Sequence, residues 1–125
     1  MEFDALTAGV KPGGLRSKQD IKLLICYLLS SIPQGLSKTD LINVLQDNNL
    51  ANYFEVASAF DELLKQGNLT EAQEEETFYT VTASGKMIAQ ELDVSLPISI
   101  RELGLSAALS LMAQQMRELL LGHQA

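Results

Sequence analysis

The side chains able to carry out chemistry are few in this sequence, and their spacing does not assemble a catalytic site. The 125-residue chain contains one histidine, His123, and one cysteine, Cys26. A closed zinc site takes four ligands, and a Ser-His or Cys-His pair needs a histidine beside the nucleophile. Cys26 falls in the apolar run 21–32 without a histidine or basic cluster nearby, which predicts a buried, unreactive thiol. We therefore expect no enzyme activity, no metal site and no cofactor.

Basic residues form a second set, and they cluster near the start of the chain. Residues 11–22 contain four basic residues against one acid, in a chain with a net charge of −7. Together with the lysine that opens the second predicted helix, they are Lys11, Arg16, Lys18, Lys22 and Lys38. Lysine and arginine are common partners of DNA phosphates, so these residues are candidates for one basic edge. The alternative is that Lys18 and Lys22 only occupy the solvated side of a helix.

The third set is acidic and stands between two β-type runs in the segment 68–86. It consists of three consecutive glutamates, Glu74, Glu75 and Glu76. One interpretation is that they keep an exposed turn soluble and its strand edge unpaired. The other is that they form a docking surface for a basic protein partner. Under either interpretation, their charge keeps this turn away from a DNA backbone.

Four helix-start signals place these residues on a mostly helical chain. In each, a small polar residue that caps backbone N–H groups is followed three positions later by an acid. The pairs are Ser17 and Asp20, Ser37 and Asp40, Asn52 and Glu55, and Ser99 and Glu102. Apolar residues at helical spacing predict helices over 18–31, 38–48, 53–66, 84–93 and 98–121, and they place Met87 on the apolar side of the fourth. Alternating β-branched and aromatic residues between 69 and 82 predict a two-stranded hairpin.

This order of elements predicts a mainly α fold with a small β-hairpin: a winged helix-turn-helix with a long C-terminal dimerisation helix. We divide the chain into an N-terminal arm (1–16), the winged helix-turn-helix domain (17–93), and the C-terminal dimerisation helix and tail (94–125). The most apolar run, 21–32, is too short to span a bilayer and is interrupted by Lys22. We expect no membrane segment and a cytoplasmic location.

Several segments resemble one known family. They are DALTAGVKPGGL (4–15), IKLLICYLL (21–29), LANYFEV (50–56) and LPISIRE (96–102). Together they resemble domain of unknown function 4364, an uncharacterised family of small bacterial winged-helix proteins. The resemblance implies the winged-helix fold and a bacterial cytoplasmic setting. It implies no catalytic residue, ligand or target.

In a helix-turn-helix, the exposed face of the second helix, here 53–66, enters the major groove. With Val56, Ala57, Phe60, Leu63 and Leu64 buried, the residues expected to face outward are Asn52, Glu55, Ser58, Ala59, Glu62 and Lys65. The helix carries two glutamates and no arginine, which is unfavourable beside phosphates. The predicted DNA-binding residues are Arg16, Lys18, Lys22, Lys38, Asn52, Ser58 and Lys65.

Apolar residues cover most of the circumference of the last predicted helix. Only a sector near Ser106, Ser110 and Arg117 is clearly polar. One apolar face can pack on the winged helix, and the other then calls for a second copy of the chain in a symmetric dimer. The alternative is a monomer whose last helix lies in a groove of its own domain. The predicted interface residues are Ile100, Leu105, Ala108, Leu109, Met112, Met116 and Leu119.

Two functions remain open from the sequence. The leading hypothesis is a homodimeric winged-helix DNA-binding regulator of transcription, with base readout by the third helix and phosphate contacts by the basic edge. The alternative is an acidic winged-helix module that binds another protein and not DNA, because a net charge of −7 repels phosphate.

Overall fold

The computed structural model describes residues 18–32, 35–73, 77–90 and 97–124. The predicted N-terminal arm with Arg16, and the glutamates at 74–76, lie outside the described residues. Along the described part, the elements are α1 (Lys18–Ser31), α2 (Lys38–Asp47), α3 (Tyr53–Lys65), β1 (Leu69–Gln73), β2 (Thr77–Val81), α4 (Ala83–Ala89) and α5 (Ile98–Gln124). The bounds of the first three helices match the predicted ones to within a residue at each end.

Two of the predicted helix caps are present. The side chain of Ser37 accepts a hydrogen bond of 3.1 Å from the backbone N–H of Asp40 at the start of α2. Asn52 accepts one of 2.8 Å from the N–H of Glu55 at the start of α3. Each bond satisfies a backbone donor that the first turn of a helix leaves without a partner. These two predictions are confirmed.

The predicted cap at Ser99 is wrong. α5 begins at Ile98, directly after Pro97, so Ser99 lies inside the first turn. The carbonyl of Pro97 accepts bonds of 3.2 Å from the N–H groups of Ile100 and Arg101. Proline is favoured where a helix begins because its fixed φ suits the helix and its missing N–H is not needed there.

A tight turn joins α2 to α3. Asn49 has a φ of +58°, and the N–H of Leu50 donates to the carbonyl of Leu45 over 2.9 Å. Leu50 and Ala51 are buried at 0% and 2% exposure. A left-handed residue followed by buried apolar anchors leaves α3 little freedom relative to α2. α2, this turn and α3 lie where the sequence predicted the helix-turn-helix.

The hairpin is antiparallel, with Leu69 opposite Val81 and Gln73 opposite Thr77. Leu36, between α1 and α2, adds a bridge to Tyr79 of β2 through N–H···O bonds of 3.3 and 2.9 Å. The preceding Gly35 has a φ of +79°, and a Cβ there would stand 2.4 Å from the Tyr79 carbonyl oxygen. Only glycine fits so close a backbone approach. The hairpin is therefore tied to the start of α2.

The core lies between α1, α2 and α3, and the first half of α5 covers it. The largest buried side chains of these three helices are Ile21, Leu24, Ile25 and Leu28 of α1, Leu41 and Leu45 of α2, and Val56, Phe60 and Leu63 of α3. The rings of Phe60 and Tyr79 meet edge to face with centroids 4.7 Å apart, which joins α3 to β2. A mostly helical chain with a two-stranded hairpin and a long C-terminal helix forms a winged-helix-like arrangement, and the predicted fold class is confirmed.

The burial predicted from the sequence can be compared with the structure at two residues, Cys26 and Met87. Cys26 is fully buried, as predicted, and burial raises the pKa of its thiol to about 12, which keeps it protonated and unreactive. Met87, predicted to lie on the apolar side of α4, is 67% exposed, so that prediction is wrong. α4 instead packs through Gly85, where a Cβ would stand 2.3 Å from the Asn68 carbonyl oxygen. The helix lies so close to the hairpin that its smallest residue must make the contact.

Candidate nucleic-acid interface

The outer face of α3 is the side turned away from the core. α3 buries Val56, Ala59, Phe60 and Leu63. The opposite side carries Phe54, Ser58, Asp61 and Lys65, spaced at four, three and four residues, and we call these four the outer face. Phe54 is 78% exposed and Ser58 is half-buried, whereas Asp61 and Lys65 are exposed. Ser58 and Lys65 therefore lie where the sequence predicted them.

Two predictions about this helix are corrected. Ala59, expected to face outward, is 0% exposed, and Phe54 and Asp61 were missed as outward residues. Alanine fits a packed or an open position equally well, so the apolar pattern did not distinguish Ala57 from Ala59. Ala59 is the fully buried one in the fold, whereas Ala57 is half-buried. The signal for the true outer face was the shared helical spacing of Phe54 with Ser58 and Lys65.

Asn52 has a structural task. Its side-chain oxygen accepts the N–H of Glu55 as the cap of α3. Placing this oxygen on a base edge would break the cap, so the structure favours a positioning role for Asn52 over the predicted base contact. Replacing such a cap by alanine costs about 1 kcal/mol.

The predicted basic edge is paired with α3 itself. Lys18 and Lys22 of α1 reach one carboxylate, Glu62, with N···O distances of 2.5 and 2.6 Å. We call these three residues the α3 flank. Hydrogen bonds from the two lysines lower the pKa of Glu62 to about 2, so it stays ionised at neutral pH. Two ammonium groups share one carboxylate, so the basic charge on this side of the molecule is partly compensated within the chain.

Lys38 also pairs with a carboxylate of α3. Its amine lies 3.2 Å from the carboxylate of Asp61 on the outer face and 5.4 Å from the centre of the Phe60 ring. The side chains of Lys38 and Asp61 are 40% and 55% exposed, so this ion pair is largely solvated and weak. The structure thus brings three of the predicted phosphate-binding lysines to the edges of α3, each beside an acid. Arg16 lies outside the described residues.

Part of the predicted dimer interface is corrected. Ile100 and Ala108 are 7% and 0% exposed, because they pack in the core of their own chain. Neither residue is available to a second copy. Gln115 of α5 donates a bond of 2.8 Å to Asp40 of α2, which ties the helix to the body at this point.

The other predicted interface residues form an apolar row, which we call the seam. Its members, Leu105, Leu109, Met112, Met116 and Leu119, are spaced at four, three, four and three residues. This is the spacing by which paired helices pack in coiled coils. Leu109, Met116 and Leu119 are 48%, 55% and 58% exposed, and Leu105 and Met112 are half-buried.

The seam continues onto a hollow beside the hairpin. Met112, Met116 and Leu119 line an apolar cavity of about 300 Å³ together with Leu36 and Phe78. Past Gln115, the described side chains of α5 are all exposed, including Leu120 at 57% and Leu121 at 59%. The C-terminal half of α5 therefore presents apolar surface that the described part of the chain leaves uncovered.

These features define the class of the protein: a winged-helix-like arrangement with a long, partly uncovered C-terminal helix. The chain belongs to the DUF4364 family, described as a domain of unknown function, whose sequence profile matches residues 21–121. No curated protein and no solved structure matches the chain. Its bacterial origin stays a prediction. Within the described ranges, no helix has the length and apolar character of a membrane span.

Proposed function

We propose that this chain is a homodimeric winged-helix protein that binds DNA as a regulator of transcription. The observation that supports this most directly is the uncovered outer face of α3. A second helix of a helix-turn-helix enters the major groove with its exposed face. Ser58, Asp61 and Lys65 on that face offer a hydroxyl, a carboxylate and an amine, which are groups that contact base edges and phosphates.

On this proposal, the lysines of the α3 flank change partners. Lys18 and Lys22 leave Glu62 for DNA phosphates, and Glu62 competes with the phosphates for them. Such competition lowers affinity for DNA of any sequence, because each phosphate contact now requires breaking a lysine–Glu62 ion pair. Base contacts by the outer face then contribute a larger share of the binding free energy. An acidic protein with this arrangement gains selectivity at the expense of non-specific affinity.

The dimer rests on the seam. Two copies of α5 that pack through Leu109, Met112 and Met116 would cover the exposed apolar side chains by the knobs-into-holes contacts of coiled coils. A two-fold axis between the copies presents two α3 helices to two half-sites of a palindrome. Dimerisation therefore also supplies the symmetry that DNA-binding regulators use.

A second candidate is the acidic interaction module. Its support is the pairing of Lys18, Lys22 and Lys38 with α3 carboxylates, which leaves little unpaired positive charge for DNA on this side. On this reading, the lysine–carboxylate pairs stay closed, and a protein partner binds the winged helix. The three glutamates at 74–76, which lie outside the described residues, remain the proposed docking point for a basic partner.

The test is selection of genomic fragments by the purified protein at low salt, followed by anisotropy titrations at increasing salt. We expect enrichment of a palindromic site, bound by a dimer, with log K falling linearly against log salt. Glu62→Gln should tighten DNA binding several-fold, because it removes the competitor of the phosphates. Glu118→Gln, on α5, makes the same change of charge and serves as the control. Absence of any enriched fragment, even at low salt, would reject DNA binding in favour of the interaction module.

A further inference from the structure

Phe54 is the most exposed large apolar side chain of α3. It is 78% exposed and lies on the outer face, one residue into the helix. Tyr53 packs against it edge to face, with ring centroids 5.3 Å apart and an angle of 85° between the rings. An aromatic ring held by a neighbour and turned to solvent forgoes the free energy of burial that it would gain elsewhere. A partner that covers the Phe54 ring would recover this free energy.

The place of Phe54 in the fold limits what that partner is. The residue stands in the first turn of α3, directly after the Asn52 cap, and the buried Leu50 and Ala51 hold the turn that precedes it. In helix-turn-helix proteins, the N-terminal residues of the second helix contact base edges in the major groove. Phe54 is therefore among the side chains that reach deepest when α3 docks on DNA.

We propose that Phe54 selects thymine by packing against its 5-methyl group. This inference rests on the proposed DNA-binding function. In the major groove, thymine is the base that offers a methyl group, and apolar side chains are the groups that contact it. Tyr53 supports this ring through its edge-to-face contact.

The rest of the outer face favours a base edge over an apolar groove on a protein. A helix that docks in a protein groove presents apolar anchors at successive turns of one face. Here the next two positions along the face are Ser58 and Asp61, followed by Lys65. One apolar contact followed by polar groups matches a row of base edges and a phosphate.

The experiment uses the full chain and the DNA fragment that it selects. Each thymine in turn is replaced by deoxyuridine, which differs only by the missing methyl group, and affinity is measured by anisotropy. We expect one thymine in each half-site at which the replacement weakens binding about fourfold, the equivalent of ~0.8 kcal/mol for one buried methylene-sized group. Phe54→Ala should abolish this sensitivity, and Phe54→Leu should retain part of it.

Met87→Ala is the matched control, because Met87 is an exposed apolar side chain on α4. This variant should keep the full uracil penalty. Selected DNA that binds equally well with uracil at every position overturns the thymine contact and leaves DNA binding intact. A penalty that persists in Phe54→Ala assigns the methyl contact to another residue and also overturns it. Failure to select any DNA overturns the proposed function, and the thymine contact with it.

Discussion

The α3 flank and the seam of α5 leave their side chains in opposite states. On the flank, Glu62 binds both Lys18 and Lys22, so the charge of the lysines is partly compensated inside the chain. On the seam, Leu109 and Met116 are 48% and 55% exposed to solvent. The Lys18–Glu62 pair, with side chains 43% and 36% exposed, is solvated and changes partners at little cost in free energy, whereas Lys22 is only 12% exposed. Exposed apolar side chains gain free energy only when another surface covers them. The difference favours a reversible partner at α3 and a lasting one at α5.

The seam offers the largest expected effect. Leu109→Glu would place two glutamates in a symmetric apolar interface, and burying unpaired carboxylates costs several kcal/mol. We expect the dimer to dissociate at least about a thousandfold more readily, as measured by sedimentation equilibrium. Met87→Glu, at a more exposed apolar residue on α4, should leave the dimer intact. A folded Leu109→Glu protein that still dimerises with unchanged affinity would place the interface elsewhere.

The α3 flank and the seam belong to the same folded domain, and Gly35 is a position in that domain that leaves no room for a side chain. Gly35→Ala should lower the free energy of unfolding by about 3 kcal/mol, because its Cβ would stand 2.4 Å from the Tyr79 carbonyl oxygen at a φ of +79°. Gly67→Ala is the control: its φ is +77°, but nothing lies within 4 Å of the added Cβ. Only the backbone penalty of about 1 kcal/mol applies there. Urea denaturation measures both, and equal losses would mean that the Gly35 contact relaxes freely.

The flank should respond in its salt dependence. In the variant Lys18→Gln with Lys22→Gln, we expect weaker DNA binding and a slope of log K against log salt reduced by about 2, one unit for each lost phosphate contact. Lys86→Gln, on α4, is the control and should keep the slope. An unchanged slope in the double variant would mean that the two lysines stay with Glu62 and do not meet phosphate.

The smallest effect is the pH dependence of stability at Glu62. Hydrogen bonds from Lys18 and Lys22 lower its pKa to about 2, whereas an unfolded glutamate titrates near ~4.3. A depressed pKa contributes stability above the unfolded value, and that contribution is lost as pH falls through the folded value. The urea midpoint of the protein should therefore exceed that of Glu62→Gln at pH 6, and the two should converge as pH falls toward 2. A difference that stays constant down to pH 3 would contradict this.

Much of the fold could be predicted from neighbouring residues alone. The caps at Ser37 and Asn52 and the apolar spacing of α1 placed the first three helices, and the change to alternating residues after Gly67 placed the hairpin. The cap of the last helix was predicted at Ser99, two residues after Pro97, because proline precedes this helix without a side-chain oxygen that would mark the position. Such signals act within a few residues, so the sequence contains them in full.

The candidate site was predictable only in part. The sequence pointed to Ser58, Lys65 and the lysines of α1. The predicted outward face of α3 was wrong in including Ala59 and in omitting Phe54. It also divided the last helix into two apolar faces without showing that Ile100 belongs to the inner one. An alanine or an isoleucine fits several packing arrangements, and the choice among them belongs to the helices that meet it.

Local patterning therefore determines where this chain forms helices and strands. It also determines that apolar residues cover more of the last helix than a single packed face accounts for. Tertiary structure decides which residues meet. Lys18 and Glu62 are 44 residues apart in sequence, and their ion pair exists only because α1 packs beside α3. Tertiary packing also leaves Phe54 turned outward and buries Ala108, while Leu109 and Met116 of the seam stay exposed. Side-chain pairing across helices depends on the distance and angle between them, and no spacing along the chain encodes these directly.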